Sequence, residues 1–122
     1  MVNFMEKIVR QTLLFDFYGE LLTEHQKSVY SDVISEDLSY SEIAESYNIS
    51  RQGVFDLIKR CDRILEGYEE KLHLLDKFER ARNSMEDIRN IVRTIKDKNE
   101  DPSLGRLIDN LENTAEEVFS EF

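Results

Sequence analysis

The segment from Ser39 to Arg60, "SYSEIAESYNISRQGVFDLIKR", limits the fold more than any other part of the chain. Several positions in it carry separate requirements of a helix-turn-helix, and each is met. Ala44 is the small residue needed where the second helix crosses the first closely, and Ile43 and Tyr47 flank it on the apolar face. Asn48 stands where the turn needs a positive φ, a conformation asparagine tolerates best after glycine. Ile49 plugs the angle between the helices, and Val54 and Leu57 seat the second one. Two caps bracket the motif. Ser39 with Glu42 forms a capping box before the first helix, and Ser50 caps the second.

The outer face of that second helix is Ser50, Arg51, Gln52, Phe55, Asp56, Lys59 and Arg60, continuing to Arg63. Arg51 and Gln52 lie at its N-terminal end, where a recognition helix meets base edges. Arginine pairs with guanine and glutamine with adenine. Ser50 and the backbone N–H groups beside it suit a phosphate. Phe55 suits a thymine methyl, and Lys59 and Arg60 suit backbone phosphates. A plainer reading stays open beside this one. Asp56 lies three and four residues before Lys59 and Arg60, Asp62 three after Lys59, and Glu66 three after Arg63, so ordinary helical ion pairs could consume the positive charge. Phe55 could equally anchor a protein partner.

Charge gives the motif an unexpected setting. The 122 residues carry a formal net charge of -10, and the acid is concentrated at the ends. Residues 1–49 hold 3 basic and 9 acidic side chains, and residues 101–122 hold 1 and 6. Residues 50–73 balance at 5 and 5, and residues 74–100 hold 7 and 6. Phosphate binding depends on local potential, so the middle of the chain can still meet nucleic acid, with salt-sensitive affinity. The acidic ends serve solubility, or form a docking surface for a basic partner.

Around the motif the periodicity is helical throughout. One proline and four glycines leave few breaks. A first helix is expected from Met5 to Tyr18, ended by Gly19 in a left-handed conformation. Its Ile8, Leu13, Leu14, Phe15, Phe17 and Tyr18 cover too much circumference for a lone surface helix. Thr23 with Gln26 boxes a second helix from Glu24 to about Glu36, with Val29, Tyr30, Val33 and Ile34 inward. The motif's second helix continues its stripe through Ile58, Cys61, Ile64, Leu65, Tyr68, Leu72 and Leu75. At Asp76 the pattern slips, and Asp76 with Glu79 is the expected cap of a further helix. Its stripe is Phe78, Ala81, Met85, Ile88, Val92 and Ile95. Asp101 and Pro102 open the last helix, striped by Leu104, Leu107 or Ile108, Leu111, Ala115, Val118 and Phe122. The expected architecture is all-α: a helix-turn-helix domain over residues 1–73, then long helices over 74–122 that form a hairpin or a dimerisation element. A motif of this kind reading palindromic DNA calls for a homodimer.

Catalysis finds no support. Cys61 falls on an apolar face, where a thiol is a small hydrophobe, and no histidine lies near enough in sequence to activate it. His25 and His73 are isolated, and neither a metal-ligand set nor a phosphate-binding glycine loop is present. No cofactor or small-molecule substrate is expected. The absence of a membrane-length apolar run and of an internal disulfide points to a cytoplasmic protein with no membrane insertion.

The stretch from Leu13 to Leu75, "LLFDFYGELLTEHQKSVYSDVISEDLSYSEIAESYNISRQGVFDLIKRCDRILEGYEEKLHLL", resembles the YlxM-like helix-turn-helix family of Gram-positive bacteria. "LLFDFY", "SRQGVFDLIKR" and "YEEKLHLL" are the most specific pieces, and the later helices are compatible with the same family. "LSYSEIAESYNISR" also resembles region 4 of sigma factors, which implies a sigma-like head and a DNA-reading role for Arg51, Gln52, Phe55 and Lys59. The family's genes lie beside those of the signal recognition particle GTPase or its receptor. The resemblance therefore implies a regulatory part in that targeting pathway, by binding duplex DNA, or as an adaptor on the particle's GTPase or RNA.

Overall fold

A computed structural model describes residues 4–35 and 38–122, with side chains from Glu6 onward. The described chain is all-α: α1 (Phe4–Tyr18), a 3-10 turn (Gly19–Leu21), α2 (Glu24–Ser35), α3 (Tyr40–Tyr47), α4 (Arg51–Leu72), α5 (Leu74–Lys98) and α6 (Pro102–Phe119). The expected end of α2 at Glu36 lies outside the described residues. No described helix is long and apolar enough to cross a membrane. Two compact units divide the chain, Met1–Leu75 and Asp76–Phe122.

In the first unit, α1, α2 and α3 all pack on α4. The core is built from one stripe of each: Leu14 and Tyr18 from α1, Val29 and Tyr30 from α2, Ile43 and Ala44 from α3, and Val54, Ile58, Cys61 and Leu65 from α4. Removing these side chains from water is the main stabilising term, at about 1.5–3 kcal/mol for each large aliphatic. Leu57, Ile64 and Tyr68 are half-buried and Leu72 is exposed, so the long stripe on α4 narrows toward its end.

Local capping follows the side-chain chemistry. The Thr23 hydroxyl accepts from the Gln26 N–H at 3.2 Å, and the Gln26 amide oxygen accepts from the Thr23 N–H at 3.1 Å. Ser39 accepts from the Glu42 N–H at 3.2 Å and Ser50 from the Gly53 N–H at 2.9 Å. Asp101 accepts from the Ser103 N–H at 2.9 Å, with Pro102 in the first turn of α6. These bonds satisfy helix N–H groups that have no intrahelical acceptor.

Two helix ends differ from expectation. Gly19 does not adopt a positive φ; it opens the 3-10 turn. Its need for glycine is steric, because a Cβ there would lie 2.9 Å from the Phe15 ring. Asp76 does not cap α5. The chain breaks at His73, whose φ of 56° closes α4 in the left-handed region, and α5 starts directly at Leu74. Asp76 lies in the first turn, paired with Arg80 at 3.0 Å. The cap comes from distant residues. Leu74 N–H donates to the Tyr18 hydroxyl at 3.1 Å, and Leu75 N–H to the buried Glu69 carboxylate at 2.9 Å. Tyr18 in turn donates to Glu69 at 2.6 Å.

A second polar cluster lies under α4. Asp62 accepts from the Tyr30 hydroxyl at 2.6 Å and from the Gln11 amide at 3.0 Å. Burial first, and the neighbouring carboxylate second, push the Tyr30 phenol well above its ordinary 10.0. Tyr18 is raised for the same two reasons, with Glu69 as its carboxylate. Both phenols are therefore held neutral in the fold, while the unfolded chain ionises them near pH 10. A raised folded-state pKa gives stability that is complete below the unfolded value and lost as pH climbs above it. Urea unfolding is expected to give a free energy that falls as pH climbs, first as the unfolded Cys61 thiol ionises above about pH 8.5 and more steeply beyond about pH 10. A free energy unchanged through pH 11 would contradict this.

In the second unit, α6 pairs with α5 in reverse order. Lys96 meets Glu112 at 2.9 Å and Asp109 at 3.4 Å, Arg89 meets Glu116 at 2.7 Å, and Phe78 meets Phe122 with ring centroids 5.1 Å apart. The Arg89 guanidinium also lies 4.1 Å from the Phe119 ring centroid. Its hydrogen bond to Glu116 holds that carboxyl below the usual range. Val92, Ile108 and Ala115 are the buried aliphatics here. Of the two alternatives for the α6 stripe, Ile108 turns inward and Leu107 outward.

Candidate nucleic-acid interface

Helices α3 and α4 meet through the turn Asn48–Ser50. Asn48 takes φ 55° and ψ 44°, and its N–H closes α3 onto the carbonyls of Ala44 and Glu45. Ile49 N–H also reaches the Ala44 carbonyl, at 3.0 Å. One left-handed residue therefore turns the chain, and Ser50, at φ -74° and ψ 158°, restarts it as the cap of α4. The next helix can seat closely because Ala44 is small and buried and Val54 is fully buried opposite. Gly53 serves this local geometry. A Cβ there would meet the Ser50 hydroxyl oxygen at 3.1 Å, crowding the cap.

On the outside of α4, Arg51, Gln52, Phe55, Asp56, Lys59, Arg60 and Arg63 are all exposed. Gln52 donates to Asp56 at 2.9 Å, one turn on. Phe55 is 40% exposed, and its ring carries the Lys59 ammonium 4.8 Å from the centroid. The Tyr40 ring stands 6.5 Å from the Phe55 centroid. Together with Arg51 and Gln52 these two rings line one open hollow. A second cleft runs along the other flank of α4, lined by Ile49, Gly53, Asp56, Leu57 and Arg60 and by the start of α2 at Thr23, His25 and Gln26.

Tyr40 was not legible as a site residue. Its signal in the sequence is an aromatic one turn before the small Ala44, a spacing that aims it toward the crossing helix.

The helical ion pairs that the spacing allows do not form. Glu66 is taken by Arg10, whose Nε donates at 2.6 Å and Nη2 at 2.8 Å. Asp62 is taken by Gln11 and Tyr30, and Asp56 by Gln52. Among the described residues, no ion pair within 4.0 Å engages Arg51, Lys59, Arg60 or Arg63. Asp62 and Glu66 are turned toward α1 and α2, whereas Asp56 stays on the outer face, bonded to Gln52 of the same helix. That outcome belongs to packing, since spacing alone favours the opposite.

Cys61 is fully buried, and burial with the adjacent Asp62 pushes its thiol up to about 11. A thiol in that setting stays protonated and inert at neutral pH. His25 sets its ring edge-on to Tyr47, with centroids 5.9 Å apart. No group of three or more His, Cys, Asp or Glu side chains gathers among the described residues in a way that could hold a metal ion.

The family model described as "Putative helix-turn-helix protein, YlxM / p13 like" matches residues 5–104, which include the whole motif. The UPF0122 protein YlxM of Bacillus subtilis is 42% identical over 108 residues, 88% of this chain and 98% of its own length. A UPF0122 protein of Bacillus licheniformis is 48% identical over 87 residues, 71% of this chain and 81% of its own. One from Shouchella clausii is 46% identical over 88 residues, 72% and 81% of the two chains. None of these names carries an enzymatic activity. With a family match across the helix-turn-helix and relatives aligned over most of their length, this chain belongs to the UPF0122 family of YlxM / p13-like helix-turn-helix proteins.

Proposed function

We propose that this protein is a non-enzymatic regulator that binds duplex DNA through the outer face of α4. Arg51 and Gln52 address base edges, Phe55 makes apolar contact, and Lys59, Arg60 and Arg63 meet phosphates. The supporting observation is the turning of Asp62 and Glu66 toward α1 and α2, which leaves Arg51, Lys59, Arg60 and Arg63 exposed on α4 without an ion pair among the described residues. The likeness of residues 38–51 to region 4 of sigma factors supports the same face. The signal recognition particle pathway is the setting that the family resemblance implies.

The test is enrichment of sheared DNA from the protein's own cell by tagged wild type, with the Arg51→Glu, Lys59→Glu double variant as control. A discrete fragment retained only by wild type is the expected result. Absence of enrichment beside a working positive control would overturn the DNA reading. The targeting particle's RNA and its GTPase would then be the binding candidates to test on this face.

A further inference from the structure

The second unit has two unlike flanks. On one, Arg89, Arg93 and Lys96 of α5 bond to Asp109, Glu112 and Glu116 of α6. On the other, spacings of three and four line up Ile88, Ile91 and Ile95 on α5 with Leu104, Leu107 and Leu111 on α6. All six are exposed, Leu107 to 63% and Ile91 to 58%. Two paired helices can bury one stripe each between them, and these helices each carry two.

We infer that this aliphatic flank is the contact between two copies of the chain, which pack α5 and α6 of each into a four-helix bundle. At these exposures one copy offers roughly 600 Å² of aliphatic surface, so a two-fold pairing removes about 1,200 Å², the lower edge of stable interfaces. Roughly 600 Å² of aliphatic surface on one flank is at the upper limit of what monomers leave in water.

A second copy can occupy this flank without local charge repulsion. Each chain carries -10, and like charge opposes self-association over most of its surface. The aliphatic flank carries no charge in its stripes; its neighbours on α6 at helical spacing, Ser103, Asn110 and Thr114, are uncharged, and on α5 Asp87 and Lys98, of opposite sign, stand at its edge. The acids of α6 named above are held on the opposite flank by their basic partners. Charge depletion of this kind marks the core of an interface. A two-fold axis lets the same flank serve both sides.

Sedimentation equilibrium of the full chain at tens of micromolar is expected to give twice 14.4 kDa. Ile91→Glu with Leu107→Glu should reduce this to the monomer mass with helical content kept, as should Ile91→Lys with Leu107→Lys. Mixing the two double variants should restore a dimer through opposite charges. The Arg51→Glu, Lys59→Glu variant should stay dimeric, which separates this contact from the DNA reading. A monomeric wild type would overturn the inference. So would a dimer indifferent to both charged pairs, or charged variants that fail to reassociate on mixing.

Discussion

Replacing Glu69 with alanine is expected to lower the free energy of unfolding by about 2–5 kcal/mol, the cost of leaving two buried donors without their acceptor. Glu69 is the carboxylate that accepts from both the Tyr18 hydroxyl and the Leu75 N–H. Alanine leaves both donors in a site from which water is excluded, and each bare donor costs roughly 1–3 kcal/mol. The cavity adds to this loss. Tyr18→Phe should cost about 1–3 kcal/mol, because the Leu74 N–H loses its acceptor and Glu69 loses one donor while keeping its bond to Leu75. The double variant should fall well short of the sum, since the two side chains act as one unit. Urea denaturation near neutral pH reads all three values. A loss below about 1 kcal/mol for Glu69→Ala would mean that water or another group replaces the carboxylate.

On DNA, Arg51 and Lys59 should fail in different ways. Arg51→Ala is expected to cost about 1–3 kcal/mol on the preferred site and to relax discrimination at one base position. Lys59→Ala should weaken binding to all sequences alike. Its log–log dependence on salt should become shallower by about one unit, as one phosphate contact is lost. The rationale is geometric. Arg51 opens α4, just after the Ser50 cap, whereas Lys59 lies two turns farther on and bears against the Phe55 ring. Measuring affinity at several salt concentrations on matched and mismatched sites separates the two. Identical losses on every sequence for both variants would remove Arg51 from base reading.

Much of the architecture can be read along the chain because its signals are local. Thr23 with Gln26, Ser39, Ser50 and Asp101 cap the helices they precede. Asn48 supplies the left-handed turn, and the apolar spacing on α4 selects Val54, Ile58, Cys61 and Leu65 for burial. The exposure of Arg51, Gln52, Phe55, Lys59, Arg60 and Arg63 follows from that same register. Where the expectation failed, the deciding partner was remote. Asp76 looks like a cap beside its own helix, yet Tyr18 and Glu69 hold the first N–H groups of α5 from 56 and 6 residues away. Glu69 could not be found by apolar periodicity, because a buried carboxylate interrupts a stripe instead of extending it.

The candidate site divides in the same way. Helix capping, turn conformation and the spacing of side chains are properties of neighbours within four residues, and they settle which groups stand on the outer face of α4. Whether those groups stay out of contact ion pairs depends on competition for Asp62 and Glu66. Local lysine and arginine lost that competition to Gln11, Tyr30 and Arg10, which lie 32 to 56 residues away in the chain. Only the packing of α1 and α2 against α4 brings those rivals within hydrogen-bonding distance. Once packing has aimed the carboxylate groups of Asp62 and Glu66 at those partners, they no longer make contact ion pairs with the outer cations.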